Sequence, residues 1–373
     1  MDRIVVVGAG LAGLRAAETL RRDGFAGEVV VLGDEPHRPY DRPTLSKQYL
    51  SGAWDLDRVW LRIEEGIDFD LRLGVAAASL DVAAGEVTLA DGVQLEFDGL
   101  VIATGAVPRT LPGFEDAIVL RTLDDADRLK AALKPGATVA VIGAGFIGLE
   151  VASTAVSLGC ETTVIEVLPR PLARVFPEAI GNVLADVHRD HGVTLLLGEE
   201  NDAVDARGAD VVVVGIGVAP ATAWLEGSGL TLDNGVVCDE TCAALGGEGR
   251  VAAAGDIARW PNPLFDGQLM RIEHWTNAAE QAEAAAHAVL GAGAPFGPVP
   301  YFWSDQYDVK IQFVGVCTPD DEFVVFDGAL EDRKFVGGFN RGGRLVGALA
   351  FSMPRQLMRY RAIIADRAPF GPA

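Results

Sequence analysis

Two glycine-rich segments of the chain carry residue types and spacings that suit the binding of a dinucleotide. In the first, RIVVVGAGLAGLRAAETL, a β-branched run leads into Gly8, Gly10 and Gly13, and Asp34 stands at the end of the next apolar run. In such a pattern the first glycine makes a tight turn, the second lets the backbone approach a pyrophosphate, and the third lets a helix pack closely on a strand. The phosphates then lie at the N-terminus of that helix, and the acid accepts hydrogen bonds from ribose hydroxyls.

The second segment, TVAVIGAGFIGLEVASTA, repeats this arrangement with Gly143, Gly145 and Gly148, and Glu166 ends the strand pattern that follows. A single glycine pattern is a weak indication, because glycine-rich turns between strands and helices also occur without ligands. Two complete patterns, each between a strand and a helix and each with its acid, are a strong one. Two dinucleotides on one chain suggest FAD and a nicotinamide cofactor, brought together for hydride transfer.

Two further strand ends fit the same interpretation. LVIATGAVPR is a buried-strand pattern that runs into Thr104 and Gly105, where a small residue would let the backbone pass close to a ligand. RVAAAGDIARW is another apolar strand, which ends in Gly255 and Asp256, and this carboxylate could hold ribityl hydroxyls. Either segment alone would be an ordinary strand end.

Two segments indicate helix ends. HWTNAAEQAEAAAHAVL predicts a helix start at which Asn277 and Glu280 have capping-box spacing. In VHRDHGV, we expect His188 and His191 to cap or solvate a helix end rather than to bind a metal ion. The sequence therefore predicts no metal site.

The segment RPYDRPTLSKQYL carries Lys47 where a disulfide-reducing flavoenzyme would carry a pair of cysteines. The cysteines of this chain form no Cys-x-x-Cys pair and have no histidine at zinc-finger spacing; they are Cys160, Cys238, Cys242 and Cys317. Cys238 and Cys242 could form a redox couple, but their spacing favours reduced thiols without a catalytic role. Because a dithiol relay needs cysteines beside the flavin, disulfide substrates are not expected.

The composition bounds the fold and the partners. A length of 373 residues with 49% hydrophobic residues suits two or three domains with packed cores. The formal charge of −22 argues against a nucleic-acid partner, which would need a basic surface. No apolar run has the length of a membrane-spanning helix, and the nucleotide-loop pattern from Ile4 leaves no room for a signal peptide. We therefore expect a cytoplasmic protein without a membrane partner.

The charge is unevenly distributed along the chain. Residues 299–373 hold nine Lys and Arg and nine Asp and Glu, so the first 298 residues carry all of the net negative charge. Within that C-terminal part, residues 333–361 contain seven basic residues and no acid. Pro354 could start a helix that places Arg355 and Arg359, four residues apart, on one face. We expect this basic run to dock an acidic partner, and a merely solvated edge is the alternative.

With these features the chain resembles the FAD-dependent pyridine nucleotide reductases, and among them the ferredoxin reductases that supply bacterial oxygenases. The matching motifs run the length of the chain: VVGAGLAGLRAA, PYDRPTLSK, IATGAVPR, LRTLDDADRL, VIGAGFIGLEVA, VVVGIGVAP, AAGDIARW, RIEHWTNAAEQA and YFWSDQYDVKIQFVG. The second and the last are specific to this branch. The chain departs from the family in two places: only EENDAVDAR stands where the family has a β-hairpin, and the tail after Arg367 is short.

The resemblance implies an α/β fold with two Rossmann-like dinucleotide-binding domains, the NAD domain inserted in the FAD domain, and a small α/β C-terminal domain. The implied limits are 1–109 and 236–298 for the FAD-binding domain, 110–235 for the NAD-binding domain and 299–373 for the C-terminal domain. Carried over by motif, the FAD contacts fall on Ala12, Asp34, Arg42, Lys47, Arg121, Asp256 and Trp275. The NAD contacts fall on Gly145, Ile147, Glu150, Glu166 and Gly217. The cofactor-binding set is completed by Ala103, Thr104 and Gly105 together with the remaining loop glycines Gly8, Gly10, Gly13, Gly143 and Gly148.

Three residues are implied to act in catalysis: Lys47, Glu150 and Trp303. Lys47 and Glu150 are expected to form a buried pair near the flavin N5, since a buried lysine needs such a partner. The alternative is an exposed Lys47 and a Glu150 that only caps local backbone. Trp303 of FWSDQY matches the aromatic residue that the family places beside the flavin, although as a bare sequence feature it is more often a core residue.

The resemblance implies an enzyme, an NADH-dependent flavoprotein reductase that passes a hydride from NADH to FAD and single electrons to a [2Fe-2S] ferredoxin. Glu166 is expected to favour NADH because a carboxylate repels a 2′-phosphate, while Arg170 and Arg174 nearby could soften that preference. Reduction of a rubredoxin, a quinone or oxygen by the same parts is the enzymatic alternative. An NADH-sensing flavoprotein that switches an interaction surface is the alternative from another class, and both a monomer and a homodimer are open.

Overall fold

The structure is a computed structural model that describes residues 1–198 and 206–372. Residues 199–205, most of the short EENDAVDAR stretch, lie outside the described part. The helices are α1 (Leu11–Arg22), α2 (Leu123–Ala132), α3 (Phe146–Ser157), α4 (Glu178–Asp190), α5 (Trp275–Val289) and α6 (Pro354–Ala365). The first eleven strands are β1 (Arg3–Val7), β2 (Glu28–Gly33), β3 (Asp70–Leu73), β4 (Ala77–Asp81), β5 (Glu86–Leu89), β6 (Gln94–Glu96), β7 (Gly99–Ile102), β8 (Ala106–Pro108), β9 (Thr138–Ile142), β10 (Glu161–Glu166) and β11 (Thr194–Leu197). The others are β12 (Val211–Val214), β13 (Val218–Pro220), β14 (Val236–Val237), β15 (Val251–Ala253), β16 (Ala258–Asn262), β17 (Gln268–Met270), β18 (Tyr301–Gln306), β19 (Val309–Gly315), β20 (Glu322–Ala329), β21 (Lys334–Arg341) and β22 (Arg344–Phe351).

Two compact units make up the described chain, and each is assembled from separate segments. The first unit comprises Met1–Asp41, Trp60–Val107 and Ala219–Pro300; the second comprises Arg42–Val59, Pro108–Val218 and the chain from Tyr301 onward. The segment 42–59 therefore groups with the second unit, whereas the predicted domain limits place it with the first dinucleotide-binding domain. Those domain limits stay a prediction.

The first unit is built on a parallel sheet with the strand order β15-β7-β1-β2-β3. Each of β1 and β2 begins with a charged residue and continues as a mostly β-branched apolar run that is fully buried, as expected for strands covered on both faces. α1 and α5 pack together, and the buried alanines of both helices, such as Ala16 and Ala285, belong to the core cluster that includes Ile4 and Val29 of the sheet. Two small sheets, with the orders β4-β5-β6 and β14-β16-β17, complete this unit.

The second unit contains a parallel sheet with the order β11-β10-β9-β12 and an antiparallel sheet with the order β18-β19-β22-β21-β20. α3 packs on β9 and β10 and also on β18, so it contacts both sheets. α6 begins at Pro354, as predicted, and packs on β19 and β22. Two parallel sheets with helices and a C-terminal antiparallel sheet with one helix confirm the predicted α/β fold class.

The start of α5 differs from the predicted capping box. The helix begins at Trp275 with His274 as its N-cap, so Asn277 lies inside the first turn. Asn277 is buried, and its Nδ2 donates to the Ile272 carbonyl at 3.3 Å and to Gln281 Oε1 at 3.2 Å. The capping-box prediction is wrong because this amide satisfies groups inside the core instead of capping the helix.

The two histidines at the end of α4 have different environments. His191 ends the helix, and its Nδ1 lies 2.8 Å from the Val187 carbonyl oxygen, which confirms its predicted place. His188 is 0% exposed, so the same prediction is wrong for it. His188 continues the buried stripe of Ile180 and Leu184, a helical spacing that could have revealed its burial in the sequence.

Among the described residues, no helix combines the length and the apolar character that a bilayer crossing requires.

Candidate functional site

In the first glycine loop, two of the three glycines are closely packed and the middle one has open space beside it. A Cβ on Gly8 would lie 2.2 Å from the Ala103 carbonyl oxygen, and one on Gly13 would lie 1.7 Å from the Gly8 carbonyl oxygen, so neither position admits a side chain. A Cβ on Gly10 would meet no described atom within 4 Å. Gly10 is also the N-cap of α1, and no described side chain caps that helix. This helix end therefore has room beside Gly10 and no side-chain cap from the described residues, which fits the pyrophosphate of a dinucleotide.

Several of the residues predicted to hold the first dinucleotide surround that loop. A Cβ on Gly255 would lie 3.2 Å from Ala12 Cβ, so the turn that carries Asp256 runs close to α1. The Gly255 N–H donates to Gln281 Oε1 at 3.0 Å and ties the same turn to α5. Asp34 is exposed directly after β2, the strand that pairs with β1. The structure thus brings Ala12 and Asp256 together and places Asp34 at the end of the neighbouring strand.

The predicted turn after β7 leaves the sheet beside the glycine loop. The Ala103 N–H donates to the Val7 carbonyl at 2.7 Å, directly before the loop begins. Thr104 Oγ1 donates to the Ala221 carbonyl at 3.2 Å, and Gly105 has a φ of 68°, which favours glycine. The glycine at position 105 is therefore favoured by the backbone conformation as well as suited to a ligand.

Other predicted FAD contacts are held by hydrogen bonds. In the first unit, Trp275 Nε1 donates to Asp41 Oδ1 at 2.8 Å. In the second unit, an Arg42 guanidinium nitrogen donates to the Arg121 carbonyl at 2.8 Å, which brings these two arginines together. All three predicted side chains are half-buried.

In the second glycine loop, the first and third glycines are again closely packed and the middle one has space beside it. A Cβ on Gly143 would lie 2.4 Å from the Gly215 carbonyl oxygen, and one on Gly148 would lie 2.2 Å from the Gly143 carbonyl oxygen. The closest described atom to a Cβ on Gly145 would be 3.8 Å away. Gly145 is the N-cap of α3, without a side-chain cap from the described residues. This helix end also fits a pyrophosphate.

Glu166 ends β10 and is held against the second loop by backbone donors. Its Oε2 accepts from the Ala144 N–H and its Oε1 from the Leu168 N–H, each at 2.9 Å. A carboxylate has about four lone-pair sites, so acceptor capacity is left for ribose hydroxyls. Of the other predicted NAD contacts, Ile147 is 42% exposed in the first turn of α3, and Gly217 has a φ of 97° with open space at its Cβ position among the described residues.

Lys47 and Glu150 form a buried ion pair. Lys47 Nζ lies 2.7 Å from Glu150 Oε2, and the two side chains are 10% and 5% exposed. Lys47 Nζ also donates to the Pro43 carbonyl at 3.0 Å. The predicted pair is therefore confirmed, and its exposed alternative is wrong. The position of this pair beside a flavin stays a prediction.

Two serines that the sequence did not single out complete the surroundings of Glu150. Ser46 Oγ donates to Glu150 Oε2 at 2.6 Å, and Ser304 Oγ donates to Glu150 Oε1 at 2.5 Å. Each serine is the sequence neighbour of a predicted residue, Ser46 of Lys47 and Ser304 of Trp303. Their place inside the two branch-specific motifs was the only signal in the sequence.

Trp303 lies on β18 next to Ser304, and its side chain therefore points to the other face of the strand. It is half-buried, and its ring is stacked with the Tyr301 ring at a centroid distance of 6.1 Å. The structure thus does not bring Trp303 to the Glu150 cluster. Its predicted place beside the flavin stays a prediction.

The described cysteines are all free thiols in sites that suppress their reactivity. Burial raises the pKa of Cys242 to about 12 and also raises the pKa values of Cys160, Cys238 and Cys317. Because the thiolate is the reactive form, this environment favours thiols without a redox role. No group of three or more His, Cys, Asp or Glu within the described ranges could hold a metal ion.

The basic face of α6 consists of Arg355, Met358 and Arg359. The two arginines are exposed one helical turn apart, as predicted, and Met358 beside them is 54% exposed. The Arg359 guanidinium lies 5.1 Å from the centroid of the Tyr360 ring. A docking role for this basic face stays a prediction.

Comparison with known proteins gives a consistent set of similarities. The chain matches the family model described as pyridine nucleotide-disulphide oxidoreductase over residues 2–282 and the model described as reductase C-terminal over residues 301–373. It is 36% identical to rhodocoxin reductase of Rhodococcus erythropolis, over 99% of this chain and 91% of that protein. It is 38% identical to the ferredoxin–NAD(+) reductase component of the anthranilate 1,2-dioxygenase system of Burkholderia cepacia, over 98% of this chain and 95% of that protein. Its fold is similar to one in the crystal structure of a covalent putidaredoxin reductase–putidaredoxin complex, with a TM-score of 0.91, 32% identity and coverage of 99% and 94% of the two chains.

Proposed function

Since the chain belongs to the pyridine nucleotide-disulphide oxidoreductase family, we propose that it is an NADH-dependent reductase that passes electrons through FAD to a [2Fe-2S] ferredoxin. The observation that carries the proposal is the pair of glycine loops. Each loop leads into a helix whose N-terminus has no side-chain cap from the described residues, and an acidic residue, Asp34 or Glu166, stands at the end of the next strand. The names of the relatives, reductase components of oxygenase systems, support the same function. Bound FAD would supply hydride acceptance from NADH and release of single electrons, chemistry that needs no thiol.

The residues around the first loop are assigned to FAD. The backbone at Gly10 receives the pyrophosphate, Asp34 accepts from the adenosine ribose, and Asp256 accepts from the ribityl hydroxyls. Ala12 and Gly255 support this assignment because their small size leaves the turn of Asp256 close to α1. The remaining FAD contacts in this proposal are Arg42, Lys47, Arg121 and Trp275 with the turn of Ala103, Thr104 and Gly105.

The residues around the second loop are assigned to NADH. Gly145 receives the pyrophosphate and Glu166 accepts from the adenosine ribose, while Ile147 and Gly217 line the dinucleotide. A second negative charge on a 2′-phosphate would meet the Glu166 carboxylate, so NADH is preferred to NADPH.

Lys47 and Glu150 are assigned to the hydride-transfer step. The Lys47 ammonium stabilises the electron density that the flavin ring gains, and the pair positions the nicotinamide amide. The contacts that hold Glu150 from both sides support this role, because a positioned charge costs no reorganisation during the reaction.

The ferredoxin is assigned to the basic face of α6. Small ferredoxins are usually acidic, and a protein with a net charge of −22 would repel them unless a local positive surface steered the encounter. Trp303, in the same C-terminal part, is assigned a place beside the flavin, on the route of the electrons from the flavin to the ferredoxin.

The proposal is tested with the purified, flavin-loaded protein. Denaturation should release FAD and not FMN. NADH-dependent reduction of cytochrome c should be slow with the protein alone and rise about tenfold or more when a [2Fe-2S] ferredoxin is added. A protein as fast with rubredoxin, quinone or oxygen as with ferredoxin, or slow with every acceptor, would contradict it.

A further inference from the structure

A chain of buried hydrogen bonds extends from Glu150 to α4. Ser304 Oγ lies 2.5 Å from Glu150 Oε1 and 3.1 Å from Gln306 Nε2. Gln306 Oε1 lies 2.9 Å from His188 Nε2, and the Tyr307 hydroxyl lies 3.0 Å from His188 Nδ1. Ser304 and His188 are 0% exposed and Gln306 is 1% exposed. The chain therefore connects α3, β18 and α4 without solvent, inside the second unit.

The Glu150 carboxylate sets the direction of every bond in this chain. Glu150 is paired with an ammonium group, and a carboxylate only accepts, so Ser304 must direct its single hydroxyl proton to it. Ser304 then accepts from the Gln306 amide nitrogen, and Gln306 presents its carbonyl oxygen to His188. His188 therefore carries its proton on Nε2, and its Nδ1 accepts from the Tyr307 hydroxyl. The opposite amide orientation would leave buried donors and acceptors unmatched.

The protonation of His188 agrees with this order. Burial lowers the pKa of His188 to about 4, so the ring is neutral near neutral pH. Beyond Tyr307 the chain reaches the surface, where the Tyr307 ring stacks on the His191 ring at a centroid distance of 3.7 Å. The Tyr307 backbone N–H donates to Ser153 Oγ at 2.8 Å, one turn along α3 from Glu150.

We propose that Ser304, Gln306 and His188 are positioning residues, which hold the Glu150 carboxylate in one orientation opposite Lys47. This inference rests on the proposed function, in which the pair serves hydride transfer. Each carboxylate oxygen has its own hydroxyl donor, from Ser46 or from Ser304, so rotation of the carboxylate breaks both bonds. Gln306 and His188 act through Ser304. His188 holds the Gln306 amide in the orientation in which its nitrogen donates to Ser304 Oγ, and the Ser304 proton is then directed at Glu150. Hydride transfer is sensitive to such small displacements.

The first test compares two buried serines of the same neighbourhood. Ser304→Ala removes the donor to Glu150 Oε1, and the matched control Ser153→Ala removes a hydroxyl that does not bond to Glu150. In stopped-flow experiments, flavin reduction by NADH should slow about tenfold in Ser304→Ala, with the NADH dissociation constant little changed. Ser153→Ala should keep the wild-type rate within about twofold, and Ser304→Thr, which keeps the hydroxyl, should recover it.

The second test measures the direction of the hydrogen bonds at His188 and needs no enzymatic turnover. In protein labelled with ¹⁵N-histidine, the ¹⁵N chemical shifts of His188 should report the neutral Nε2–H form at about pH 7. An Nδ1–H form or an imidazolium would overturn the proposed direction of the bonds.

A comparison of the serine variants with Lys47→Met separates this inference from the proposed function. If Lys47→Met slows flavin reduction and Ser304→Ala does not, the positioning role is overturned and the proposed function stands. Equal slowing in Ser304→Ala and Ser153→Ala also overturns it, because general destabilisation would then explain both. If Lys47→Met is reduced at the wild-type rate, the pair has no part in hydride transfer, and the positioning role is overturned with it.

Discussion

Glu150 has three polar partners, which come from two distant parts of the chain. It pairs with Lys47, accepts from Ser46 and Ser304, and is 4% exposed. A buried ion pair contributes little net stability, since the desolvation of both charges offsets their attraction. The contribution of this pair is to fix the orientation of both side chains, because two charged groups held by several hydrogen bonds can adopt only one arrangement.

Replacing Lys47 with Met should affect both stability and chemistry. The change leaves the Glu150 carboxylate buried without its cation, at a cost of about 3–5 kcal/mol in the free energy of unfolding if the carboxylate stays charged. Flavin reduction by NADH should be slower, and stopped-flow absorbance measures it. The exposed Lys310→Met is the matched control. A Lys47→Met protein that keeps its FAD and the wild-type reduction rate would remove this lysine from the redox site.

Glu166 should determine the choice of nicotinamide cofactor. The wild-type kcat/KM for NADH should exceed that for NADPH by about tenfold or more, because the carboxylate repels a 2′-phosphate. Glu166→Gln keeps the size and removes the charge, so the two values should approach each other. The stem of Arg170 packs over Gly181 of α4, whereas Arg174 is exposed, so Arg174 is the residue that could soften the preference. A wild-type value for NADPH equal to that for NADH would contradict the assignment.

His188 should make stability depend on pH on the acid side. Burial lowers its pKa in the folded protein to about 4, below its ordinary value of 6.5. Between these values the unfolded chain binds a proton that the folded chain does not, so its stabilisation is present above about pH 6.5 and is lost as the pH falls towards 4. Between about pH 7 and pH 5, the urea-unfolding free energy should fall by about 2 kcal/mol less in His188→Gln than in the wild type. The same pH dependence in both proteins would exclude His188 as its source.

At the scale of elements, α3 combines two tasks that the proposed reaction requires. Its uncapped N-terminus at Gly145 faces the space assigned to a pyrophosphate, and its second turn carries Glu150. The same helix packs on β18, which supplies Ser304. One rigid element thus ties the nucleotide loop to the charged pair, and a displacement of the helix would disturb both.

The basic face of α6 should control the reaction with ferredoxin and not the reaction with NADH. Arg355→Glu with Arg359→Glu should slow ferredoxin reduction and flatten its dependence on salt, because the steering charge is removed. Flavin reduction by NADH should stay at the wild-type rate. Arg58→Glu with Arg62→Glu, also two exposed arginines four positions apart, makes the same change in net charge and serves as the control. Unchanged ferredoxin kinetics at low salt would exclude these two residues from the interface.

At the scale of the whole molecule, the chain has the two glycine loops expected of the pyridine nucleotide-disulphide oxidoreductase family. Its described residues nevertheless include no reactive thiol. Burial raises the pKa of each of its four cysteines. With little thiolate near neutral pH, NADH-dependent reduction of a small disulfide should stay at background. Treatment of the folded protein with iodoacetamide should leave ferredoxin reduction intact. Inactivation that follows the alkylation of Cys238 or Cys242 would show that a thiol takes part after all.

Much of this protein could be predicted from local stretches of sequence. A glycine loop and its helix end form within about 30 residues, so both loops and their open second glycines follow from spacing and turn geometry alone. The helix start at Pro354 and the paired exposure of Arg355 and Arg359 are local in the same way. Lys47 and Glu150 were predicted as partners only through the family resemblance, since nothing in the spacing of two residues 103 positions apart indicates contact.

Only the tertiary structure decided what surrounds Glu150. Ser46 and Ser304 reach it from 104 and 154 positions away, and His188 meets Gln306 across 118 positions. A serine or histidine has the same local preferences whether it faces solvent or a buried carboxylate, so periodicity and capping rules could not assign these partners, and they misplaced His188 and Asn277. Hydrogen-bond partners of this kind are chosen when α3, α4 and β18 pack together, because burial then requires each polar group to find the nearest matching donor or acceptor.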